Sequence, residues 1–351
     1  MKLINLFKKF SALYLPSSKI HIDCVKGLVS VVLPVFNGEK YIAEAIESVI
    51  MQSYKNWELI IIDDGSCDGS LNIASAYAES DKRIKVFHQE NQKLPRALNN
   101  GFSHAKGEYY TWISADNRML CDCLRIMVSE LKAHQSADMV YGNMYLIDKT
   151  GERLTHHGWF EFPPGSGNVI LPRSAHLLNT VANNTIGAAF MYRASADVIL
   201  GGYSPDMFLL EDYDYFMRMN SLFHIKHIKT NKPVYAYRFH DGSLTSKDDE
   251  LGITASRPQL MELDKKRRRL YNRPLYFSAC RPLPFGNHIF KRFGLYKSSN
   301  SDFCLDDYNI NADRGGYSVY YGQRLLCRLK SAADTVRFIR LHAVCNIAKG
   351  L

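Results

Sequence analysis

The sequence predicts an α/β fold, a mostly parallel sheet flanked by helices. Two runs, "VSVVLPV" (29–35) and "WELIIID" (57–63), are rich in β-branched residues and nearly free of polar interruption. That is the pattern of strands buried on both faces. Stretches with apolar residues at helical spacing alternate with such runs through the first 120 residues, which implies parallel strands joined by crossover helices. The runs end in polar or acidic residues, at Asn37, Asp63-Asp64 and Asp116. In such sheets ligands bind beyond the carboxyl ends of the strands.

Taken in order, "GLVSVVLPV" (27–35) reads as the first strand, and "YIAEAIESVIMQ" as a helix with Ile42, Ala45, Ile46 and Val49 on one face. "WELIIIDDGS" is a second buried strand, "SLNIASAYAES" a helix and "IKVFHQ" a third strand. "PRALNNGFSHA" reads as a third helix and "GEYYTWIS" as the fourth strand. From about Asp138 the pattern loosens. "ADMVYGNMYLID" and "NNTIGAAFMYR" read as strands, with the Pro/Gly-rich "WFEFPPGSGNVILP" between them as a loop. "EDYDYFMRMNSL" looks helical and "KPVYAYRFH" is a strand. A boundary falls near residue 245, and no internal repeat is present.

The chain has 351 residues, 46% hydrophobic and 23% charged, a globular composition long enough for a full core. Its eight cysteines form no regular frame and read as reduced thiols of a cytosolic protein. The net charge of +9 is unevenly placed. Residues 251–351 carry 18 Lys and Arg against 7 Asp and Glu, whereas residues 1–250 are nearly balanced. A basic block of this kind seeks phosphates, on nucleic acid or on an anionic membrane surface.

No segment is apolar enough to span a bilayer. In "MKLINLFKKFSALYL", Lys8 and Lys9 interrupt the apolar run of a signal peptide. Leu3, Leu6, Phe7, Phe10, Leu13 and Tyr14 instead recur at helical spacing. They suit either an interfacial helix or one packed on the protein's own body. At the other end, Leu325, Leu326, Leu329, Val336, Ile339 and Ile347 lie near one helical face bordered by arginines, with the same two readings.

In "IIIDDGSCDGS", Gly65 gives the tight turn and Ser66 and Asp68 can cap the next helix. Two adjacent carboxylates exceed what a cap needs, and one can accept hydrogen bonds from a nucleobase or ribose. Neither Gly-x-Gly-x-x-Gly nor Gly-Lys-Ser/Thr occurs, so dehydrogenase and P-loop chemistry are not indicated. The carboxylate of "SADN" (114–117), taken alone, fits a strand-ending turn.

Together, "VSVVLPVFNGEKYIAEAIESVIMQSYKNWELIIIDDGSCDGS", "ENQKLPRALNNGF" and "GEYYTWISADN" resemble the family 2 glycosyltransferases, inverting enzymes of the Rossmann-like GT-A fold. The match is dense over about residues 29–125 and sparser to about 245. The resemblance implies that Pro34, Phe36, Asn37, Glu39, Asp63, Asp64, Ser114 and Ala115 bind a nucleotide-sugar, with a UDP-sugar expected. It implies that Asp116, where the family has the last acid of a D-x-D motif, holds Mn²⁺ or Mg²⁺. The first acid is replaced here by Ser114. One carboxylate with phosphates and waters is chemically enough for such an ion. Lys93, near a position usually held by Gly, and Arg96 are available to the diphosphate; they would equally suit a solvated helix start.

"LEDYDYFMRM" resembles the family's segment carrying the catalytic base, which assigns that role to Asp212 with Glu211 beside it. An inverting transfer needs a carboxylate near the acceptor hydroxyl to take its proton; acids at a helix start also serve as caps. In "YRFHDGSLT", the resemblance places His240 on the metal or diphosphate and Arg238 on the diphosphate or acceptor.

These readings divide the chain into a basic amphipathic segment (1–28), a catalytic domain (29–245) and a basic, mainly helical, membrane-associating region (246–351). Within the catalytic domain, residues 29–125 take the nucleotide-sugar and 126–245 the acceptor. The expected function is metal-dependent sugar transfer to a sugar or lipid-linked glycan, in bacterial surface polysaccharide assembly. It would take place in the cytoplasm, at the inner face of the membrane. A nucleotidyltransferase acting on a sugar phosphate is the alternative enzyme class. A nucleic-acid-binding protein would rest on the basic tail alone, so no nucleic acid partner is expected.

Overall fold

The computed structural model describes residues 20–155, 167–271, 275–277, 295–297, 308–313, 316–321 and 324–349. The segment Leu3–Tyr14, expected as an amphipathic helix, lies outside these residues. The first half alternates strand and helix: β1 (Val25–Val35), α1 (Ile42–Ile50), β2 (Trp57–Asp63), α2 (Ser70–Ser80), β3 (Ile84–His88), α3 (Leu94–Ser103) and β4 (Gly107–Trp112). The two-residue β5 (Arg118–Met119), α4 (Cys123–Ala133), β6 (Met139–Tyr141), β7 (Met144–Ile147) and the short β8 (Asn168–Val169) follow. After them come β9 (Phe190–Arg193), α5 (Ala194–Leu200), α6 (Glu211–Leu222), β10 (Ile225–His227) and β11 (Tyr235–Arg238).

Seven strands form one sheet in the order β10-β6-β9-β4-β1-β2-β3. β9 runs antiparallel to both neighbours, and all other pairings are parallel. All seven residues of β2 are buried, as are those of β1 from Val29 onward. This explains the uninterrupted apolar runs, because helices cover both faces of the sheet. One polar pair inside is hydrogen-bonded across strands. Ser30 Oγ donates to Glu58 Oε1 at 2.7 Å, and that carboxylate also accepts from the Lys106 N–H at 2.7 Å. A second sheet, β5-β11-β7-β8, lies alongside.

Where the expected strand 137–148 should run on, the chain breaks at Gly142-Asn143, and β6 and β7 enter different sheets. A side chain at Gly142 would meet Ile228 Cδ1 at 2.5 Å, so a larger residue there would have to displace the Ile228 side chain. Asn143 then accepts from the Leu171 N–H at 3.0 Å and donates to the Asn231 carbonyl at 3.1 Å, pinning the break. Of the expected strand 183–193, only Phe190–Arg193 pairs.

Beyond residue 245 come α7 (Asp248–Leu251) and the 19-residue α8 (Ile253–Tyr271), then β12 (Leu275–Phe277) paired with β13 (Leu295–Lys297). β14 (Tyr308–Asp313), β15 (Gly316–Tyr321) and β16 (Arg324–Leu329) form an antiparallel meander, and α9 (Ala332–Lys349) closes the described chain. The C-terminal region is therefore only partly helical. The single amphipathic face expected from Leu325 to Ile347 is divided between a strand and a helix. "RLLCRL" alternates toward its end, with Cys327 and Leu329 buried and Arg328 exposed, and so short a run fits either period. α9 buries Phe338, Ile339 and Leu341 in the protein's own core. No helix among the described residues is long and apolar enough to cross a membrane.

The basic run of α8 is also not a uniformly solvated face. Arg267 is 1% exposed and paired with the fully buried Asp214 of α6. All six cysteines among the described residues are free thiols.

Candidate active site

The loops at the carboxyl ends of β1 and β2 are laced together. The Asn37 N–H donates to Ser66 Oγ at 2.9 Å, Asn37 Oδ1 accepts from the Cys67 N–H at 2.9 Å, and the Gly38 N–H donates to Ser70 Oγ at 2.8 Å. Glu39 accepts from the Gly69 N–H at 2.9 Å, and its own N–H donates to Asp68 Oδ2 at 3.0 Å. A cleft of about 2150 Å³ opens over these loops and the end of β4, and runs on to the start of α6 and α8.

Of the residues expected at the nucleotide-sugar, Pro34, Phe36, Asn37, Asp64, Lys93, Ser114 and Ala115 line this cleft. The others do not. Asp63 is fully buried and held by His88 Nδ1 at 2.6 Å, turned away from its neighbour Asp64. Adjacent residues of an extended strand point to opposite faces, so a pair of acids cannot both face one ligand there. Glu39 is spent on bracing the two loops, and Arg96 is an exposed residue of α3 outside the cleft. Asp64 is oriented by Gln89 Nε2 at 2.7 Å and the Gln92 N–H at 2.8 Å.

Asp116 and His240 come together from distant parts of the chain, with His240 Nε2 at 3.1 Å from Asp116 Oδ2. Among the described residues no three His, Cys, Asp or Glu side chains converge as a metal cage. The donor set here is one carboxylate and one imidazole on an open cleft. It fits a divalent ion that takes its remaining ligands from substrate phosphates and water, as Mg²⁺ and Mn²⁺ do. Arg238, expected on the diphosphate or acceptor, is instead 1% exposed and outside the cleft wall. Its Nε donates to the Asp116 carbonyl at 2.8 Å and its Nη2 to Glu44 Oε2 at 2.6 Å.

Glu211 and Asp212 open α6 and both line the cleft. Asn184 Nδ2 donates to Asp212 Oδ2 at 3.0 Å, and the Tyr213 N–H donates to Oδ1 at 2.6 Å. Burial raises the Asp212 pKa above the ordinary carboxylate range, against the opposing pull of the Tyr213 N–H, Arg257 and Asn184. Burial, and then the neighbouring Asp212 charge, raise Glu211 as well, and Glu211 Oε2 is buried without a hydrogen-bond partner.

Sequence patterns did not single out Asn184 or Arg257. Arg257, on α8, lines the cleft and donates from Nη1 to Asn183 Oδ1 at 3.1 Å. Backbone strain marks the same place. Asn37, Lys93 and Leu209 are the three non-glycine residues with positive φ among those described, at 53°, 70° and 77°, and all three line the cleft. Residues in such conformations cost free energy and cluster at functional sites.

Sheet and cleft thus define an α/β domain whose candidate site lies at the carboxyl ends of the strands. Residues 30–199 match the family model "Glycosyl transferase family 2". Glycosyltransferase GlyG of Streptococcus pneumoniae is 39% identical over 124 residues, 35% of this chain and 41% of that protein. Glycosyltransferase GlyA of the same organism is 28% identical over 225 residues, 63% of this chain and 32% of that protein. The chain thus spans less than half the length of these two curated relatives. Among solved structures, S. aureus TarS 1–349 in complex with UDP aligns over 67% of this chain and 64% of its own, at 19% identity and a TM-score of 0.49. The mannosyltransferase PcManGT from Pyrobaculum calidifontis, in complex with GDP-Man and Mn²⁺, covers 77% of this chain and 68% of its own. Its identity is 17% and its TM-score 0.46.

Proposed function

We propose that this protein is a metal-dependent, inverting glycosyltransferase that moves a sugar from a nucleotide-sugar, a UDP-sugar in our reading, to an acceptor hydroxyl. The observation that carries the proposal is the single cleft onto which Asp64, Lys93, Asp116, His240 and Asp212 all open. Asp64, oriented by Gln89 and the Gln92 N–H, recognises the nucleoside. Asp116 and His240 hold a divalent cation, which when bound neutralises charge on the departing diphosphate. Lys93 adds a point charge on the same side of the site. Asp212, fixed by Asn184, accepts the proton of the acceptor hydroxyl. As the acceptor oxygen bonds the anomeric carbon, the bond from that carbon to the phosphate oxygen breaks and the nucleoside diphosphate leaves. Burial suits Asp212 to this role, because a base is most effective when its pKa lies near the working pH.

In this reading the catalytic unit extends past the boundary near 245 into α8, because Ile253, Thr254 and Arg257 line the cleft. The acceptor is a sugar or lipid-linked glycan of a bacterial surface polysaccharide, and the enzyme works at the cytoplasmic face of the membrane. Association with that surface would be electrostatic, through exposed cations such as Arg324, Arg328 and Lys330.

The deciding experiment is a panel of nucleotide-sugars incubated with the protein and Mn²⁺, read as nucleoside diphosphate release and repeated with Asp116→Asn. Release that depends on Mn²⁺ and is lost in the variant is expected. Pyrophosphate release from a nucleoside triphosphate and a sugar phosphate would instead identify a nucleotidyltransferase.

A further inference from the structure

Behind the turn that carries Asp116 lies a set of contacts centred on the buried Arg238 guanidinium. Arg238 is buried at the end of β11 and uses its whole guanidinium. Nε donates to the Asp116 carbonyl at 2.8 Å, Nη1 to the Asp148 carbonyl at 3.1 Å and Nη2 to Glu44 Oε2 at 2.6 Å. The Arg238 backbone N–H donates to Asn117 Oδ1 at 2.8 Å, so main chain and side chain both grip the Ser114–Asn117 turn. Tyr41 is wedged on the other side, its ring 4.5 Å from the Arg238 guanidinium and 4.9 Å from the His240 ring. Glu44, on α1, also faces Arg118 Nη1 at 3.5 Å. α1, the turn after β4 and the end of β7 are thereby all tied to one guanidinium at the end of β11. The planar fork of arginine makes such a three-way bond, which a lysine cannot reproduce.

We infer that Glu44 and Arg238 are positioning residues that hold Asp116 and His240 in register for a divalent cation, without touching cation or substrate. The inference rests on the metal reading proposed above. Its logic is that of outer-shell partners, which orient ligands and whose loss costs about 10–100-fold in metal affinity. Arg238 fixes Asp116 through its carbonyl and His240 through the Tyr41 ring. Glu44 in turn holds the guanidinium in the one rotation that serves all three acceptors.

The test is Mn²⁺ binding, read from the electron paramagnetic resonance signal of free Mn²⁺ with and without UDP. It uses the wild type, Glu44→Gln, Arg238→Lys, Asp116→Asn and the Glu44→Gln/Asp116→Asn double variant. Glu44→Gln keeps an amide oxygen for Arg238 Nη2, so it should fold, melt below the wild type because the buried guanidinium loses its counter-charge, and bind Mn²⁺ about tenfold more weakly. Arg238→Lys should lose at least as much. On the Asp116→Asn background, Glu44→Gln should add nothing, since residues acting through one another are not additive. Wild-type Mn²⁺ affinity in Glu44→Gln, with binding lost in Asp116→Asn, overturns the inference even if Arg238→Lys does not fold. A wild type that takes up no Mn²⁺ even with UDP overturns the metal reading and this inference with it.

Discussion

Replacing Arg267 with Met tests whether the basic C-terminal region is part of the catalytic unit. Asp214 follows the proposed base by two residues on α6 and is fully buried. One oxygen meets Arg267 Nη1. The other accepts from Arg218 Nε at 2.9 Å and from Ser204 Oγ at 3.1 Å. Burial alone would raise the Asp214 pKa, but Arg218 and Arg267 together outweigh it and hold the carboxyl below its usual range. Breaking a buried pair costs about 3–5 kcal/mol when the remaining charge is left alone. A lost hydrogen bond to a charged group costs about 1.5–3 kcal/mol. Because Arg218 stays, the loss should fall where these ranges meet, at about 3 kcal/mol.

The assay is urea unfolding at pH 7, with Lys265→Met as the control. Lys265 sits two residues away on the solvent side, paired with the exposed Glu262, and its replacement should leave the midpoint in place. The pH dependence gives a second check. A depressed folded-state pKa contributes stability above the unfolded value, near 3.9, that is lost as pH falls toward the folded value. The penalty of Arg267→Met should therefore persist down to about pH 4 and shrink only below it. A loss under about 1 kcal/mol at pH 7 would mean that α8 is an appendage and not a wall of the site.

Four further outcomes are expected. Asp212→Asn should keep donor affinity and lower turnover at least about a hundredfold; collapse of donor affinity with turnover intact would move Asp212 to the donor site. Since the Asp212 pKa is raised, wild-type turnover should fall with an acidic inflection above the ordinary carboxylate range, measured as kcat against pH. Glu211 is raised too, so its neutral form favours the fold below the unfolded pKa, near 4.3, and that contribution is lost as pH rises through the folded value. Glu211→Gln should thus raise the melting temperature relative to wild type at alkaline pH and change it little at pH 4. Liposome sedimentation should show binding to anionic vesicles at low salt that is largely reversed by high salt; no co-sedimentation at low salt would refute surface association.

The first half of the fold was legible because a sheet buried on both faces writes its strands as apolar runs; β2 and β4 fall within them and β1 starts two residues earlier. The second half was less so. Gly142-Asn143 breaks what reads as one strand, and nothing in the local pattern says that Ile228, 86 positions on, occupies the space above Gly142. The cleft was legible wherever a motif also ends a strand, as at Asp64 and Asp116. It was misjudged where one motif holds residues of opposite direction. Asp63 and Asp64 are adjacent in sequence but face apart, and Arg238 points inward two residues from His240, which lines the cleft. Asn184 carries no signal at all, since its bond to Asp212 is visible only after folding.

The boundary near residue 245 shows why charge is a poor guide to such edges. "DKKRRR" reads as one solvated basic run, because composition does not record direction. On α8, however, successive residues turn by about 100°, so three adjacent arginines face three ways. Arg267 enters the core to meet Asp214, Arg268 reaches back to Asp264 at 2.8 Å, and Arg269 stays exposed. A charge turned inward persists only where an opposite charge awaits it, and Asp214 lies on the helix that begins with Glu211 and Asp212. The pairing that hides Arg267 therefore also docks α8 against α6, and this docking brings Ile253, Thr254 and Arg257 to the cleft wall. A basic C-terminal block, read from composition as a surface for phosphates, supplies part of the pocket in which the proposed base sits.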